Sequence, residues 1–162
     1  YDSFANAYKV FHFERRIIIM GKISVVYWSQ SGNTLAMAEA IGKGITDGGA
    51  QAEVVNVSSC QVSDLDTEEV FALGCPAMGA EVLEESEMEP FVAELEGNVK
   101  GKKIALFGSY GWGDGQWMRD WEERMISAGA TVVNGEGLIC QEAPDGDVIS
   151  ECESLGKQLA GM

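Results

Sequence analysis

Six small polar residues, SQSGNT from Ser29 to Thr34, interrupt the chain between an apolar run and a helix-like pattern. Ser29, Ser31 and Thr34 offer hydroxyl donors, and Asn33 offers an amide. Gly32 lets the backbone turn tightly and bring several N–H groups inward. Thr34 opens the helical pattern, and the free N–H groups and dipole of a helix start favour an anion. Such a loop suits one phosphate monoester, held as a dianion by neutral donors. It contains no lysine or arginine, and it matches neither G-x-x-x-x-G-K-[ST] nor G-x-G-x-x-G. Donors of this kind fit the lasting retention of a phosphorylated ligand better than turnover of a nucleoside triphosphate. Ser, Asn and Thr are also good helix caps, so the loop alone leaves both readings open.

Two further loops carry groups suited to a flat aromatic ligand. Met78 follows a strand-like run and sits between the small residues Ala77 and Gly79. Small neighbours let a ring approach while the thioether packs on its face. In GSYGWGDGQW, glycines 108, 111, 113 and 115 surround Tyr110 and Trp112. A tryptophan on so pliant a loop fits one side of a clamp on a planar ring better than it fits a core. Trp117 and Trp121, at i, i+4 spacing on a helical pattern, fit the core instead.

These loops need rigid elements to hold them. The apolar runs 23–28, 52–57, 70–75 and 103–109 read as four strands, and 131–133 with 138–140 make a fifth across a glycine-containing connection. Helical patterns fill 34–46, 88–95, 116–128 and 148–160. Apolar strands alternating with helices predict an α/β fold, a five-stranded parallel sheet covered on both faces. Ligands of such sheets sit outside the carboxyl ends of the strands, where all three loops lie.

Composition narrows the function. A net charge of −15 over 162 residues predicts avoidance of nucleic acid and anionic membranes and attraction to basic partner surfaces. The four cysteines, Cys60, Cys75, Cys140 and Cys152, form no C-x-x-C pair, and His12 has no ligand partner near it, so no metal site is expected. A reducing, cytoplasmic compartment fits them best. Residues 1–19 are neither a signal peptide nor a membrane span and read as an extension or an expression-derived segment, with the domain running from Met20 to Met162. The leader sets Asp2 and Glu14 against Lys9, Arg15 and Arg16, a net of +1, so the other 143 residues carry −16.

Three stretches, YWSQSGNT, GCPAMGAEVLEESEMEPF and LFGSYGWGDGQWMRDWEERM, together resemble a short-chain flavodoxin of the anaerobic-bacterial type. Their order and spacing match along nearly the whole core, and no insertion splits the fifth strand. The resemblance implies a flavodoxin-like three-layer sandwich with strand order 2-1-3-4-5. Flavodoxin is itself the standard example of that order, which is taken from the family. It implies non-covalently bound FMN, with Ser29, Gln30, Ser31, Gly32, Asn33 and Thr34 around the 5′-phosphate. Met78 would pack on the inner face of the isoalloxazine, beside Ala77, and Trp112 on the outer face. The Gly79–Ala80 peptide would flip so that the Gly79 carbonyl accepts from the protonated N5, and Glu81 would accept from N3–H. Ser109, Tyr110, Gly111 and Gly113 would line the ribityl and dimethylbenzene side through their backbones, with Gly115 in the same loop. Gln30 stands where the family usually has glycine, and Ala80 where it often has aspartate.

The implied function is a low-potential one-electron carrier, not an enzyme, cycling semiquinone and hydroquinone between redox partner proteins as a cytoplasmic monomer. Glu81, Glu84, Glu85, Glu87, Glu89 and Asp114 would form an acidic envelope that disfavours a second negative charge on the flavin. The alternative is a flavin-dependent NAD(P)H oxidoreductase on the same fold.

Overall fold

The computed structural model describes residues 21–162, so the expectation for residues 1–19 lies outside the described residues. The apolar runs form strands β1 (Lys22–Tyr27), β2 (Gln51–Asn56), β3 (Val70–Gly74), β4 (Lys103–Tyr110), β5 (Thr131–Val132) and β6 (Leu138–Gln141). Every pairing is parallel, in the order β2-β1-β3-β4, with β5 and β6 both on the outer edge of β4. β5 pairs with Lys103 and Ile104, and β6 with Phe107 to Tyr110. The fifth strand position is therefore two segments joined by a turn, where Asn134 (φ 63°) and Gly135 (φ 76°) take left-handed backbone.

The periodic segments form α1 (Asn33–Asp47), α2 (Met88–Leu95), α3 (Gln116–Ser127) and α4 (Gly146–Ala160). Strand side chains alternate between faces, which builds two cores. Val26, Phe71, Leu73, Ile104 and Leu106 pack with Met88, Phe91, Trp117 and Trp121 of α2 and α3. Val25, Ala72, Ala105 and Phe107 pack with Met37, Ile41, Cys152 and Leu155 of α1 and α4. α1 and α4 touch backbone to backbone: a Cβ on Gly44 would overlap the Glu153 carbonyl, and one on Gly156 the Ile41 carbonyl.

No helical pattern is read between the second and third strands, and the structure has no α-helix there. Between β2 and β3 the chain makes two short 3₁₀ turns, Val57–Ser59 and Val62–Leu65. They bury Val57, Val62 and Leu65 on the α2–α3 side of the sheet, so that face is covered without a full helix. Near the opposite end of the sheet from the loops of interest, Ser24 donates to buried Glu68 twice, from its N–H and its hydroxyl, each at 2.6 Å. Burial raises the Glu68 carboxyl above its usual range, with the Ser24 bonds opposing.

Candidate functional site

The carboxyl ends of β1, β3, β4 and β6 deliver four loops to one end of the sheet. The Trp28 N–H donates to the Gly74 carbonyl at 3.0 Å and the Ala77 N–H to the Ser109 carbonyl at 3.0 Å, which aligns the first three loops. The Glu142 N–H donates to the Tyr110 carbonyl at 2.8 Å, and Gln141 Nε2 to the Gly111 carbonyl at 3.2 Å, which brings in the fourth.

In the first loop Gly32 takes φ 93° and precedes α1. With no side chain it leaves the helix start without an N-cap bond from that residue. Ser29 Oγ curls back and accepts from the N–H groups of Gly32 at 3.2 Å and Leu35 at 3.3 Å. The N–H groups of Asn33 and Thr34, first in α1, meet no acceptor among the described residues. Gln30 and Ser31 are exposed. Thr34 differs from the sequence reading: its hydroxyl points inward and shares a hydrogen bond of 3.1 Å with Ser109 Oγ, both residues being buried. That side chain staples the first loop to β4, so Thr34 presents its backbone N–H rather than its hydroxyl. A helix start with open N–H groups fits a phosphate dianion.

The second loop is a tight hairpin. Met78 and Val82 exchange backbone hydrogen bonds of 2.8 and 3.0 Å, enclosing Gly79 (φ 50°), Ala80 and Glu81 (φ 55°). Met78 is half-buried, while Gly79 and Ala80 are exposed, and a Cβ on Gly79 would meet open space. Beneath the hairpin lies Cys75, whose thiol burial pushes up to about 12, a neutral packing group. Its carbonyl accepts from Trp117 Nε1 at 3.1 Å, which seats the second loop on α3.

The third loop exposes Trp112 to 65% on its turn of glycines, while Trp117 and Trp121 are buried at 1% each. Trp117 and Trp121 are thus core residues, and Trp112 is not. Ser109 is buried and Tyr110 half-buried, with the Tyr110 ring tilted against Trp117 at 5.6 Å between centroids. Gly111 and Gly113 are exposed, whereas Gly115 is buried as the residue that starts α3.

Glu81 has a partner the sequence did not suggest. Its Oε1 accepts from the backbone N–H groups of Asp114 at 3.2 Å, Gly115 at 3.3 Å and Gln116 at 3.3 Å, at the start of α3. The acidic run beside it also divides by role. Glu84 is buried and accepts from the N–H groups of Ser86 at 2.7 Å, Glu87 at 2.8 Å and Met88 at 3.0 Å, capping α2. Burial acts to raise its carboxyl, but the bonds from Met88, Ser86 and Glu87 win and hold it below its usual value. Glu89 forms a two-pronged ion pair with Arg124, both bonds 2.7 Å, and Arg124 also reaches Glu96. Glu85, Glu87 and Asp114 are exposed, although Asp114 pairs with Arg119. The expected uniform acidic envelope is thus partly scaffold.

With this geometry, comparison with known proteins is decisive. The flavodoxin family model matches residues 25–155. The chain belongs to the flavodoxin family. It is 51% identical to a flavodoxin from Clostridium beijerinckii over 140 residues, covering 86% of this chain and all of that protein. It is 46% identical to a flavodoxin from Megasphaera elsdenii, covering 85% of this chain and 98% of that protein. Its fold superposes on the solution structure of two-electron reduced Megasphaera elsdenii flavodoxin with a TM-score of 0.77, at 44% identity over 86% of this chain and 99% of the other. The resemblance in the three loop stretches and the sheet order 2-1-3-4-5 agree with these matches. A flavodoxin is an electron-transfer protein rather than an enzyme, and its cofactor is FMN. Among the described residues of this flavodoxin, no helix is long and apolar enough to cross a membrane.

Proposed function

We propose that this flavodoxin is a low-potential one-electron carrier that holds FMN non-covalently and works between the half-reduced and fully reduced flavin. The observation that carries this reading is the start of α1, whose open N–H groups face the same end of the sheet as Met78 and the exposed Trp112. When bound, FMN supplies the redox chemistry, taking up and releasing one electron at a time.

The chain's own residues do the rest. Ser29, Gln30, Ser31, Gly32, Asn33 and Thr34 hold the phosphate with neutral donors, which leaves its charge intact and the ligand in place. Met78, beside Ala77, and Trp112 form the two walls that exclude water from the ring. The Gly79 carbonyl, in a peptide whose glycine keeps a turn cheap, would accept a hydrogen bond from the ring. Ala80 adds no carboxylate at that turn. Glu81 accepts from N3–H, and Ser109, Tyr110, Gly111, Gly113 and Gly115 line the remaining edge. A net charge of −15 disfavours adding a second negative charge beside the protein. The same acidity draws redox partners with basic surfaces to a cytoplasmic monomer and makes transfer slow as salt rises.

Binding of FMN and of riboflavin, measured side by side on the wild-type protein and Gly32→Ala, tests the reading. Gly32 stands at φ 93°, where a side chain costs about 1–2 kcal/mol. FMN affinity should fall about tenfold in the variant, with riboflavin unmoved. An equal loss for both ligands would place the phosphate elsewhere, and failure of the wild-type to take up FMN would remove the proposal.

A further inference from the structure

The two ring-side loops meet at one carboxylate. Glu81 belongs to the Met78 hairpin, yet all three of its hydrogen bonds reach the Trp112 loop, 33 to 35 residues away. Three successive backbone N–H groups at a helix start form a nest for an anion, and here an internal carboxylate fills it. The glycines of that loop serve the nest. Gly113 (φ 87°) and Gly115 (φ 94°) bend the chain around the carboxylate, and a Cβ on Gly113 would overlap Glu81 Oε1 and Cδ. Glu81 itself sits at φ 55°, a backbone state that a non-glycine residue keeps only when its surroundings hold it.

Other restraints on the loop run elsewhere. Gln141 Nε2 ties Gly111 to β6, and Arg119 ties Asp114 to α3, through its carbonyl at 3.0 Å and its carboxylate at 2.8 Å. Trp112, at 65% exposure, adds little packing of its own.

We propose that Glu81 is a positioning residue that fixes the loop carrying Trp112 to the hairpin carrying Met78, setting the spacing of the two walls before the flavin enters. The use of that spacing rests on the FMN reading above; the tie itself does not. Among the described residues only Oε1 is engaged, so Oε2 is left for the flavin N3–H, and the tie and that contact coexist.

Amide hydrogen exchange on the full chain, with and without FMN, tests the tie. In flavin-free Glu81→Ala, the amides of Asp114, Gly115 and Gln116 should exchange at least about tenfold faster, with β1 amides unchanged as the control for folding. A side chain that served only as a flavin contact would leave those amides alone. Glu81→Gln keeps an acceptor oxygen and should recover most of the protection. Gly113→Ala pushes the carboxylate out while keeping Glu81, and should reproduce the fast exchange. FMN and riboflavin should both weaken by a similar factor, about tenfold, in Glu81→Ala, because only the ring end is loosened.

Unchanged exchange in both Glu81→Ala and Gly113→Ala would overturn the proposal, as would fast exchange with full flavin affinity. If wild-type protein bound neither FMN nor riboflavin, the functional reading would fail while the exchange data still decided whether the tie exists.

Discussion

Glu84 and Glu81 perform the same operation at different range. Each carboxylate gathers three backbone N–H groups at a helix start. Glu84 reaches residues 86 to 88 in its own turn, buried, at 2.7–3.0 Å. Glu81 reaches residues 114 to 116 on another loop, half-exposed, at 3.2–3.3 Å. The local cap is short because nothing but its own helix sets its geometry. The remote one is longer and bridges two loops. A carboxylate cap can therefore close its own helix or tie two loops together, and distance along the chain separates the two uses.

The largest expected effect lies at the local cap. Glu84→Ala leaves the buried Met88 N–H and the part-buried N–H groups of Ser86 and Glu87 without their charged acceptor, and should lower unfolding free energy by about 2–3 kcal/mol in urea titrations. A loss below about 0.5 kcal/mol would break the contrast. The acid dependence follows with its sign. The folded-state carboxyl of Glu84 is held low, so its contribution is present above the usual carboxylate range and is lost as pH falls through the folded value. Glu84→Gln should flatten that acid-side slope.

Glu81→Ala, measured the same way without flavin, should cost about 1–1.5 kcal/mol, less than Glu84→Ala, since its bonds are longer and half-exposed. A loss equal to that of Glu84→Ala would make both caps scaffold. Arg124→Gln probes a neighbouring tie between α3 and α2. Its half-exposed pairing with Glu89 and Glu96 should be worth about 1 kcal/mol by thermal unfolding, falling with salt.

Glu68 is the opposite case, a carboxylate that among the described residues accepts hydrogen bonds from Ser24 alone. Its folded-state value is raised, so its contribution is greatest below the usual carboxylate range and is lost as pH rises through the folded value. Glu68→Gln should leave stability at pH 7 unchanged or improve it by up to about 1 kcal/mol. A clear loss there would mean that the Ser24 bonds outweigh burial.

Much of this molecule was legible in its residues. Continuous apolar runs located the strands and period-3.6 patterns the helices, with Met88–Leu95 matched end to end. The first loop was legible because hydroxyls, an amide and one glycine stand together between a strand and a helix. Trp112 was legible because its glycine neighbours set it apart from Trp117 and Trp121. What escaped depends on contacts between distant residues. The Thr34 hydroxyl looked like a surface donor until Ser109, 75 positions on, claimed it. Glu81, Glu84 and Glu89 read as one acidic run, because a run of glutamates carries no mark of which member faces a helix start or an arginine. The 3₁₀ turns between β2 and β3 escaped because short turns lack a periodic signature. The signal that pointed to the Glu81 nest was present but unused: glycines 113 and 115 flank an aspartate immediately before a helix, a spacing that favours N–H groups turned to one side.

One-electron chemistry on FMN is tested by an anaerobic reductive titration of the FMN-loaded protein followed by visible absorption. A long-wavelength band from the one-electron-reduced flavin should grow to a maximum and then disappear as the second electron enters. Bleaching of the yellow protein in a single two-electron step would contradict it.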